Sequence, residues 1–514
     1  MSRALAGPLI CLAWLGAAQA GPVQEALAAQ SGGDGEVAAF YARRDFQLAW
    51  TDTGKVAALA ALVKDAASHG LDPADYGGEA LTAQPVGADA ATLAARDRRL
   101  TLALARLVRH LAQGKVDPRR LYPEWNFLAP LGGAGSAEEL ERLLQASDLF
   151  AAVAARAPVS ADYQGLRRAL AHYRALALAG GWTRLAEGPS LKPGMGDVSR
   201  VPALRARLAL EGDHPPPEGD PARLDPPLAE AVGRFQVRHG LEPDGAVGKR
   251  TLAALNVPVE ARIDQIRVNL ERLRWLDEER AGDRLEVDIA GFAARLYLDG
   301  QLAWDSRVVV GRPYRKTPAF RADMRYLVLN PPWVVPPTIL REDVLPKLAK
   351  DTAYLAAHEM RVVDGAGKTV AAEGIDWNRY RHGGFPHQIV QVPGPDNPLG
   401  RIKFMLPNPH AIYLHDTPSR RLFQRTERAH SSGCVRLEKP LELAVLMLND
   451  PQRWSREALE AELATGRTRH VAVGRDVPVL VLYFTAQADE TAGVSFRPDL
   501  YGRDPVVLEA LSRP

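Results

Sequence analysis

Cysteine is scarce in this sequence, and its charges nearly cancel. The 514 residues include two cysteines, and 64 Lys and Arg against 62 Asp and Glu leave a formal net charge of +2. A nearly neutral chain with interleaved signs lacks the concentrated basic face that nucleic acid requires, so we expect no nucleic-acid partner. Beyond the N-terminus no run reaches 18 apolar residues, so we expect no integral membrane segment in the mature chain.

The N-terminus has the pattern of a secretory signal peptide. Arg3 is the sole charge before an apolar run over residues 4–18, which ends in the small-residue motif Ala18-Gln19-Ala20. These features predict a signal peptide over residues 1–20 and export to the periplasm, with an uncleaved anchor as the alternative.

Export would leave a single thiol in the mature chain. Cys11 falls within the predicted signal peptide, so Cys434 alone would remain and no disulfide could form within the chain. An unpaired cysteine in an exported protein is either buried and inert or reactive. The residues around Cys434, described below, favour the reactive interpretation.

The sequence lacks convincing motifs for a metal or a nucleotide. Gly367-Lys368-Thr369 superficially resembles the end of a phosphate loop, but position 362 is Val where the motif requires Gly. His358-Glu359 has no second His at the spacing of a zinc motif, and no other His pair has ligand spacing. We therefore expect no metal and no organic cofactor.

The hydrophobic periodicity divides the chain into regions. Residues 21–190 have apolar positions at helical spacing, which predicts a helical scaffold domain. From Leu285 the period changes to two, which predicts a mostly β domain over residues 283–488, preceded by a linker helix at 263–282. Within this domain the pattern predicts a hairpin turn at Asp299-Gly300 and a strand from Met324 to Leu329. It also predicts helices at about 440–448 and 456–463, and a final strand pair at 469–473 and 477–484 that completes the sheet. The predicted fold class is multidomain α+β, with residues 489–514 as a loosely ordered tail.

An insertion interrupts the strand pattern of the β domain. Residues 330–380 open with a proline-rich stretch, continue as a helix from about Ile339 to Ala349, and include a hairpin that turns at Asp364-Gly365. Insertions of this size near a candidate site are typical of lids or binding loops. We therefore expect a capping insertion over these residues.

Residues 195–260 have the pattern of three short helices. Leu204 and Leu208 lie on one face of the first, Phe235 belongs to the second, and residues 251–255 form the third. Their order and spacing resemble the peptidoglycan-binding three-helix domain of cell-wall enzymes. This resemblance implies a wall-binding role, with peptidoglycan glycan and stem peptides as partners. A purely structural use of the bundle is the alternative.

A candidate active site surrounds Cys434. His415 ends a strand-like apolar run, and a polar, Arg-rich loop leads from it to Gly433 and Cys434. A nearby imidazole can activate a thiol as a nucleophile, and the amides around Gly433 and Cys434 can form an oxyanion hole. Arg436 adds a positive charge close to the thiolate or to a substrate carboxylate. This pattern predicts a cysteine acyl transferase or hydrolase.

The blocks around this site resemble the signature of the L,D-transpeptidase catalytic domain. The matching blocks are residues 308–318, 330–333, 393–400, 413–418 and 431–436, together with Arg428. The resemblance is to the large Gram-negative type, which combines a helical scaffold, a peptidoglycan-binding domain and a capping insertion. It covers essentially the whole mature chain.

The resemblance implies roles for individual residues. Cys434 would be the nucleophile and His415 the base, while the carbonyl of Asp416 would orient the imidazole and Gly433 would adjoin the oxyanion hole. The residues predicted to bind the substrate are Arg436, Tyr413, Ser432, Arg428 and Trp333.

The implied reaction is acyl transfer on peptidoglycan stem peptides. Cys434 would attack the carbonyl of the third residue, a diaminopimelate, and expel the terminal D-Ala. The acyl group would then pass to a diaminopimelate amine of a neighbouring stem, which makes a 3→3 cross-link, and carbapenems would acylate the same thiol. Hydrolysis and attachment of a lipoprotein are alternatives at the same site, and a catalytically silent wall-binding scaffold is the alternative from another class. Protein partners are not predicted.

Overall fold

The computed structural model describes residues 21–31, 35–83, 88–128, 133–213, 215–380, 383–489 and 493–513. Helical regions and a mostly β domain make it a multidomain α+β protein, as predicted. The predicted signal peptide, with Cys11, lies outside the described residues. Among those residues, no helix is both long enough and apolar enough to cross a membrane.

The helices are listed here in chain order: α1 (Pro22–Gln30), α2 (Gly35–Arg43), α3 (Thr53–Asp65), α4 (Ala90–Gln113), α5 (Pro118–Leu121), α6 (Ala137–Gln145), α7 (Leu149–Ala154), α8 (Ala161–Leu178), α9 (Arg200–Ala209), α10 (Pro226–Arg238), α11 (Lys249–Leu255), α12 (Val259–Leu276), α13 (Pro337–Ile339), α14 (Leu345–Leu348), α15 (Tyr354–Ala357), α16 (Pro440–Leu448), α17 (Arg456–Ala464) and α18 (Asp504–Ser512). Shorter segments are 3₁₀ turns at Ala66–His69, Pro73–Tyr76, Gly78–Thr82 and Arg420–Gln424, and a π-helical turn at Leu340–Val344.

The strands follow in the same way: β1 (Arg284–Asp288), β2 (Ala293–Leu298), β3 (Gln301–Gly311), β4 (Phe320–Asp323), β5 (Tyr326–Leu329), β6 (Trp333–Val334), β7 (Met360–Val363), β8 (Thr369–Val370), β9 (Gln388–Gln391), β10 (Ile402–Met405), β11 (Leu414–His415), β12 (Ala429–Ser431), β13 (Val435–Leu437), β14 (Arg469–Ala472), β15 (Pro478–Leu482), β16 (Ala486–Asp489) and β17 (Gly493–Phe496).

The first of two compact units lies within residues 1–115 and 131–157. Its longest helix, α4, buries the apolar stripe predicted from the sequence. Asp97 on this helix is buried, and it accepts hydrogen bonds from the Tyr41 hydroxyl at 2.7 Å and from the Trp50 amide at 2.9 Å. Because a buried carboxylate is costly unless it is hydrogen-bonded, these contacts fix the chain before α3 onto α4.

The second unit spans residues 116–130 and 158–513. Helix α8, which falls within the scaffold region predicted over residues 21–190, packs along α12. Arg274 of α12 is fully buried; it pairs with Glu271 and donates to the Tyr163 hydroxyl of α8 at 3.0 Å. A buried guanidinium needs such partners, so it joins these two helices.

Helices α9, α10 and α11 form the three-helix bundle around buried Leu204, Leu208 and Phe235. The linker helix differs from its predicted bounds of 263–282, because α12 begins at Val259 and ends at Leu276. Pro258 is the N-cap of this helix, with a non-helical ψ of 151°.

The β domain is organised around an 11-stranded sheet. Its order is β14-β5-β10-β11-β13-β3-β2-β1-β15-β4, with β12 added against β3. The predicted turn at Asp299-Gly300 joins β2 to β3, and both residues have positive φ, at 51° and 75°. Positive φ at both central positions is the requirement of the tight turn that joins hairpin strands.

Two strand predictions in this domain need correction. The strand expected from Met324 to Leu329 begins at Tyr326 instead. The two final strands do not pair with each other: β14 pairs with β5, whereas β15 pairs with β1 and β4.

The capping insertion has its own small sheet and core. The sheet order is β6-β9-β7-β8, and its core includes Val344, Leu348 and Trp377. The insertion was expected to end at residue 380, but β9 pairs with β6 and β7, so it extends to Gln391. The sequence pattern of β9 is that of a buried strand in either sheet. Only its pairing with β6 and β7 assigns it to the sheet of the insertion.

The prediction of a loosely ordered tail over residues 489–514 is wrong. Strands β16 and β17 form an antiparallel hairpin, and α18 follows with Val507 and Leu511 buried. Asp504 at the start of α18 accepts from Arg272 of α12 at 2.7 Å. The C-terminal segment is therefore a packed part of the second unit.

Candidate active site

Three neighbouring strands of the large sheet bring predicted site residues together. Strand β11 pairs in parallel with β13, with His415 opposite Arg436. On its other side β11 pairs antiparallel with β10, with Lys403 opposite His415. Because side chains alternate between the faces of a strand, Lys403, His415 and Arg436 project from the same face.

The opposite face of these strands fixes this arrangement. Phe404, Leu414 and Val435 are 0% exposed and belong to the main core. The face that carries Lys403, His415 and Arg436 is called the site face. A shift by one residue would move the apolar set to this face, so core packing sets the register. Tyr413 and Cys434 immediately precede β11 and β13, and the Val435 amide donates to the Tyr413 carbonyl at 3.1 Å. The alternation therefore continues, and both side chains join the site face.

His415 is held in one tautomer by a backbone carbonyl. Its Nδ1 lies 2.5 Å from the Asp416 carbonyl oxygen, which can only accept, so Nδ1 carries the proton and Nε2 keeps its lone pair. Burial lowers the pKa of His415 to about 3, assisted by the positive charges of Arg436 and Lys403. The imidazole is thus neutral at physiological pH, as a base must be.

The Asp416 carboxylate is engaged elsewhere. It accepts from the Arg401 amide at 2.9 Å and pairs with Arg420 at 3.3 Å. An added Cβ at Gly400 would lie 2.4 Å from this carboxylate, so the close approach requires glycine there. These contacts fix the backbone of Asp416, and with it the carbonyl that faces His415.

Cys434 is partly buried and unpaired. Burial raises the pKa of its thiol, opposed by hydrogen bonds from the Tyr413 backbone and hydroxyl and by the charges of Lys403 and Arg436. Its Sγ also lies 3.9 Å from the Ala411 carbonyl oxygen. The resting group is therefore a thiol surrounded by groups that would stabilise a thiolate.

Lys403 is the site residue that sequence reasoning missed. Its Nζ lies 3.9 Å from the centroid of the Tyr413 ring, which is the geometry of a cation–π contact. The alternation of apolar and polar residues over 402–405 was sufficient to place this side chain on the non-core face. Only the pairing of β10 with β11 shows that this face of β10 belongs to the site.

Gly433 is positioned by a buried hydrogen-bond chain. Its carbonyl accepts from the Thr317 hydroxyl at 2.7 Å, and the Thr317 amide donates to the Tyr501 hydroxyl at 3.1 Å. Gly433 has φ at +120°, which an L side chain rarely adopts. The C-terminal segment thus supports the loop that precedes Cys434 through Tyr501.

The predicted oxyanion hole is partly occupied. The Gly433 amide already donates to the Ser431 hydroxyl at 3.1 Å, so it is not a free donor in this structure. Within the described part of the chain, the Cys434 amide has no hydrogen-bond partner. The Cys434 amide is therefore the available donor for a developing oxyanion.

Ser432 connects the loop to the capping insertion. Arg315 donates to the Ser432 hydroxyl at 2.9 Å, to Asp343 at 2.6 Å and to Glu342 at 2.7 Å. Both carboxylates lie on the π-helical turn, a rare form that is frequent at functional sites. One guanidinium therefore contacts both the insertion and the residue beside Gly433.

Two predicted substrate-binding residues make other contacts. Arg428 donates to the carbonyls of Val308, Arg425 and Phe292, which is a packing role between loops. Trp333 lies on β6 and packs against the core of the insertion. Neither contact set includes Cys434 or His415. In the described residues, no group of three or more His, Cys, Asp and Glu side chains is arranged to hold a metal ion.

Comparison with known families agrees with this geometry. The profile described as L,D-transpeptidase catalytic domain matches residues 282–479. The chain contains an L,D-transpeptidase catalytic domain. Two further profiles match outside that L,D-transpeptidase domain: "Scaffold domain" over residues 35–170 and "Putative peptidoglycan binding domain" over residues 198–255.

Two individual proteins are similar to parts of this chain. A curated relative, "Putative L,D-transpeptidase" of Haemophilus influenzae, is 38% identical over 246 residues, which are 48% of this chain and 49% of the relative. The match thus spans about half the length of that relative. A solved L,D-transpeptidase structure (residues 123–326) from Xylanimonas cellulosilytica is 15% identical and covers 58% of this chain and 99% of that chain, with a TM-score of 0.19. This score is too low to compare the two folds.

Proposed function

We propose that this L,D-transpeptidase domain forms 3→3 cross-links between diaminopimelate residues of peptidoglycan stem peptides, through an acyl-enzyme on Cys434. The observation that carries the proposal is the common face of β11 and β13. It presents the Cys434 thiol, the neutral His415 imidazole and the Arg436 cation together.

The proposed chemistry uses these groups in two steps. Cys434 Sγ bonds to the carbonyl carbon of the third stem residue while its proton passes to His415 Nε2. The proton then moves to the nitrogen of the departing D-Ala as the amide bond breaks, which leaves a thioester. In the second step the acceptor amine attacks the thioester, its proton passes through His415, and the thiol is regenerated.

Other regions support delivery to the wall. The putative peptidoglycan-binding profile over residues 198–255 supports a polymeric wall substrate. The capping insertion would exclude water from the thioester, so that an amine acceptor competes with hydrolysis. Export to the periplasm, through the signal peptide predicted at residues 1–20, completes the proposal.

Purified mature protein incubated with disaccharide-tetrapeptide tests the function. Mass spectrometry should detect cross-linked dimers and free D-Ala, and Cys434→Ala should abolish both products. Tripeptide without dimers would mean hydrolysis, and transfer to an added lipoprotein C-terminal lysine peptide in place of dimers would mean lipoprotein attachment. Activity that persists in Cys434→Ala would refute the nucleophile assignment, whereas an inert wild type would favour a wall-binding scaffold.

Carbapenem acylation is a second, independent test of the thiol. Intact wild-type protein should gain the mass of one carbapenem, because the same attack opens the β-lactam ring. Cys434→Ala should gain no mass under the same conditions, and its folding is checked by circular dichroism.

A further inference from the structure

The site face carries more positive charge than its own residues neutralise. Within the described residues, neither Lys403 nor Arg436 forms an ion pair or a hydrogen bond with the protein. The Arg436 Nε is buried without a partner. Half-buried cations without counter-ions are unusual, since taking a charge out of water is costly unless something compensates it.

The surroundings offer these two cations no carboxylate. The charged or ionisable groups that act on Lys403 and Arg436 are Cys434, Tyr413 and a further cation, Arg312. The Asp416 carboxylate is occupied by Arg401 and Arg420, as described above. Cys434 is the group whose negative charge would face both cations, and it is a thiol at rest, so a substrate anion can supply the negative charge that they lack.

Strand register fixes the positions of both cations relative to the thiol. Lys403 and Arg436 flank His415 on neighbouring strands. The Nζ of Lys403 lies 3.9 Å from the centroid of the Tyr413 ring, and the hydroxyl of that ring acts to lower the pKa of the Cys434 thiol. An anion bound by both cations would thus lie next to the reacting carbonyl.

We propose that Lys403 and Arg436 together form a carboxylate-binding site for the donor stem peptide, in which Lys403 is a substrate-binding residue. This inference rests on the proposed function, because it assumes a stem-peptide donor. A tetrapeptide stem carries carboxylates on the terminal D-Ala and on the D-centre of diaminopimelate, the two groups nearest the scissile bond. Charge-assisted hydrogen bonds to either would hold the scissile carbonyl over Cys434.

Equilibrium binding tests the site without requiring turnover. Isothermal titration of disaccharide-tetrapeptide would compare Cys434→Ala with Cys434→Ala/Lys403→Met, and loss of a charge-assisted bond should raise Kd by about 10-fold or more. Cys434→Ala/Lys403→Arg should retain most of the affinity. The matched control is Lys192→Met in the same background, because Lys192 is an exposed lysine of the same chain, and it should leave Kd unchanged.

Amidated donors identify the carboxylate and provide the decisive comparison. When the carboxylate that Lys403 binds is converted to an amide, Cys434→Ala and its Lys403→Met variant should bind that donor equally. For a donor amidated at the other carboxylate, Lys403→Met should still raise Kd. Equal affinity of both proteins for the unmodified donor, or the same fold-loss on every donor, would overturn the inference.

Product analysis separates this inference from the proposed function. If wild type makes neither dimers nor tripeptide but the Lys403→Met loss in Kd is carboxylate-dependent, the function fails and the site stands. If wild type forms dimers and Lys403→Met changes neither Kd nor KM, the function stands and the site fails.

Discussion

The reactivity of Cys434 should rise steadily with pH and show no plateau near neutrality. Burial raises the pKa of this thiol, and burial with two neighbouring cations lowers the pKa of His415 to about 3. Both groups are therefore neutral at pH 7, and the fraction of thiolate should grow about tenfold per pH unit until the thiol pKa is reached.

The size of the effect follows from the gap between the two pKa values. With a reference thiol pKa of about 8.5 and about 1.4 kcal/mol per pKa unit, proton transfer from Cys434 to His415 at a pKa of about 3 costs on the order of 7 kcal/mol before the charges attract. Attraction between opposite unit charges in contact near a protein surface returns on the order of 4 kcal/mol. The neutral pair should therefore predominate by far over the ion pair in the resting protein.

The groups that face Cys434 come from all three strands. They are Lys403 from β10, Tyr413 and His415 from the β11 segment, and Arg436 from β13. Removal of one cation in Lys403→Met should shift the thiol titration to higher pH. If the pH profile of thiol reactivity has a second step, and Lys403→Met abolishes it, that step is the titration of Lys403.

Alkylation by iodoacetamide between pH 6 and 9.5, followed by intact mass, measures this reactivity. Cys434→Ala serves as the blank, and free cysteine provides the reference profile. We expect the protein profile to lie at higher pH than the reference profile. A rate plateau at or below pH 7, or thiolate absorbance at 240 nm already present at pH 6, would refute the reasoning.

Two contacts outside the reacting groups give further predictions. Tyr501→Phe leaves the Thr317 amide without its partner, so hydrogen exchange over 311–318 should speed up and carbapenem acylation should slow. Unchanged exchange would show that the Tyr501 hydroxyl does not stabilise this segment. Arg315→Gln should speed exchange of the insertion over 337–348 and slow acylation. Arg341→Gln removes a hydrogen bond to Glu342 within the insertion and should change neither. Equal effects of the two Arg variants would contradict the special role of Arg315.

Local patterns predicted much of the β domain. Helices α16 and α17 and the hairpin turn at Asp299-Gly300 were expected from spacing, and the structure has them. These features depend on residues close in sequence, such as the positive φ values that a two-residue turn demands. The three-helix bundle was predictable for the same reason.

Long-range pairing was the part that the sequence did not determine. Strand β9 looks like any buried strand, yet it belongs to the sheet of the insertion. The C-terminal segment contributes a single buried hydroxyl to the surroundings of the site, that of Tyr501, and this contact is visible only in the folded chain. Both errors concern partners far away along the chain.

The sequence by itself determined the chemical groups of the site: one thiol beside glycine, a histidine at a strand end and an arginine two residues after the thiol. These groups lie in contiguous motifs, so local sequence suffices to identify them. Only the tertiary structure decided that Lys403 joins them, because the pairing of β10 with β11 is fixed by the core on the other face. It also decided the charge state of His415, since burial and two cations from neighbouring strands set its pKa.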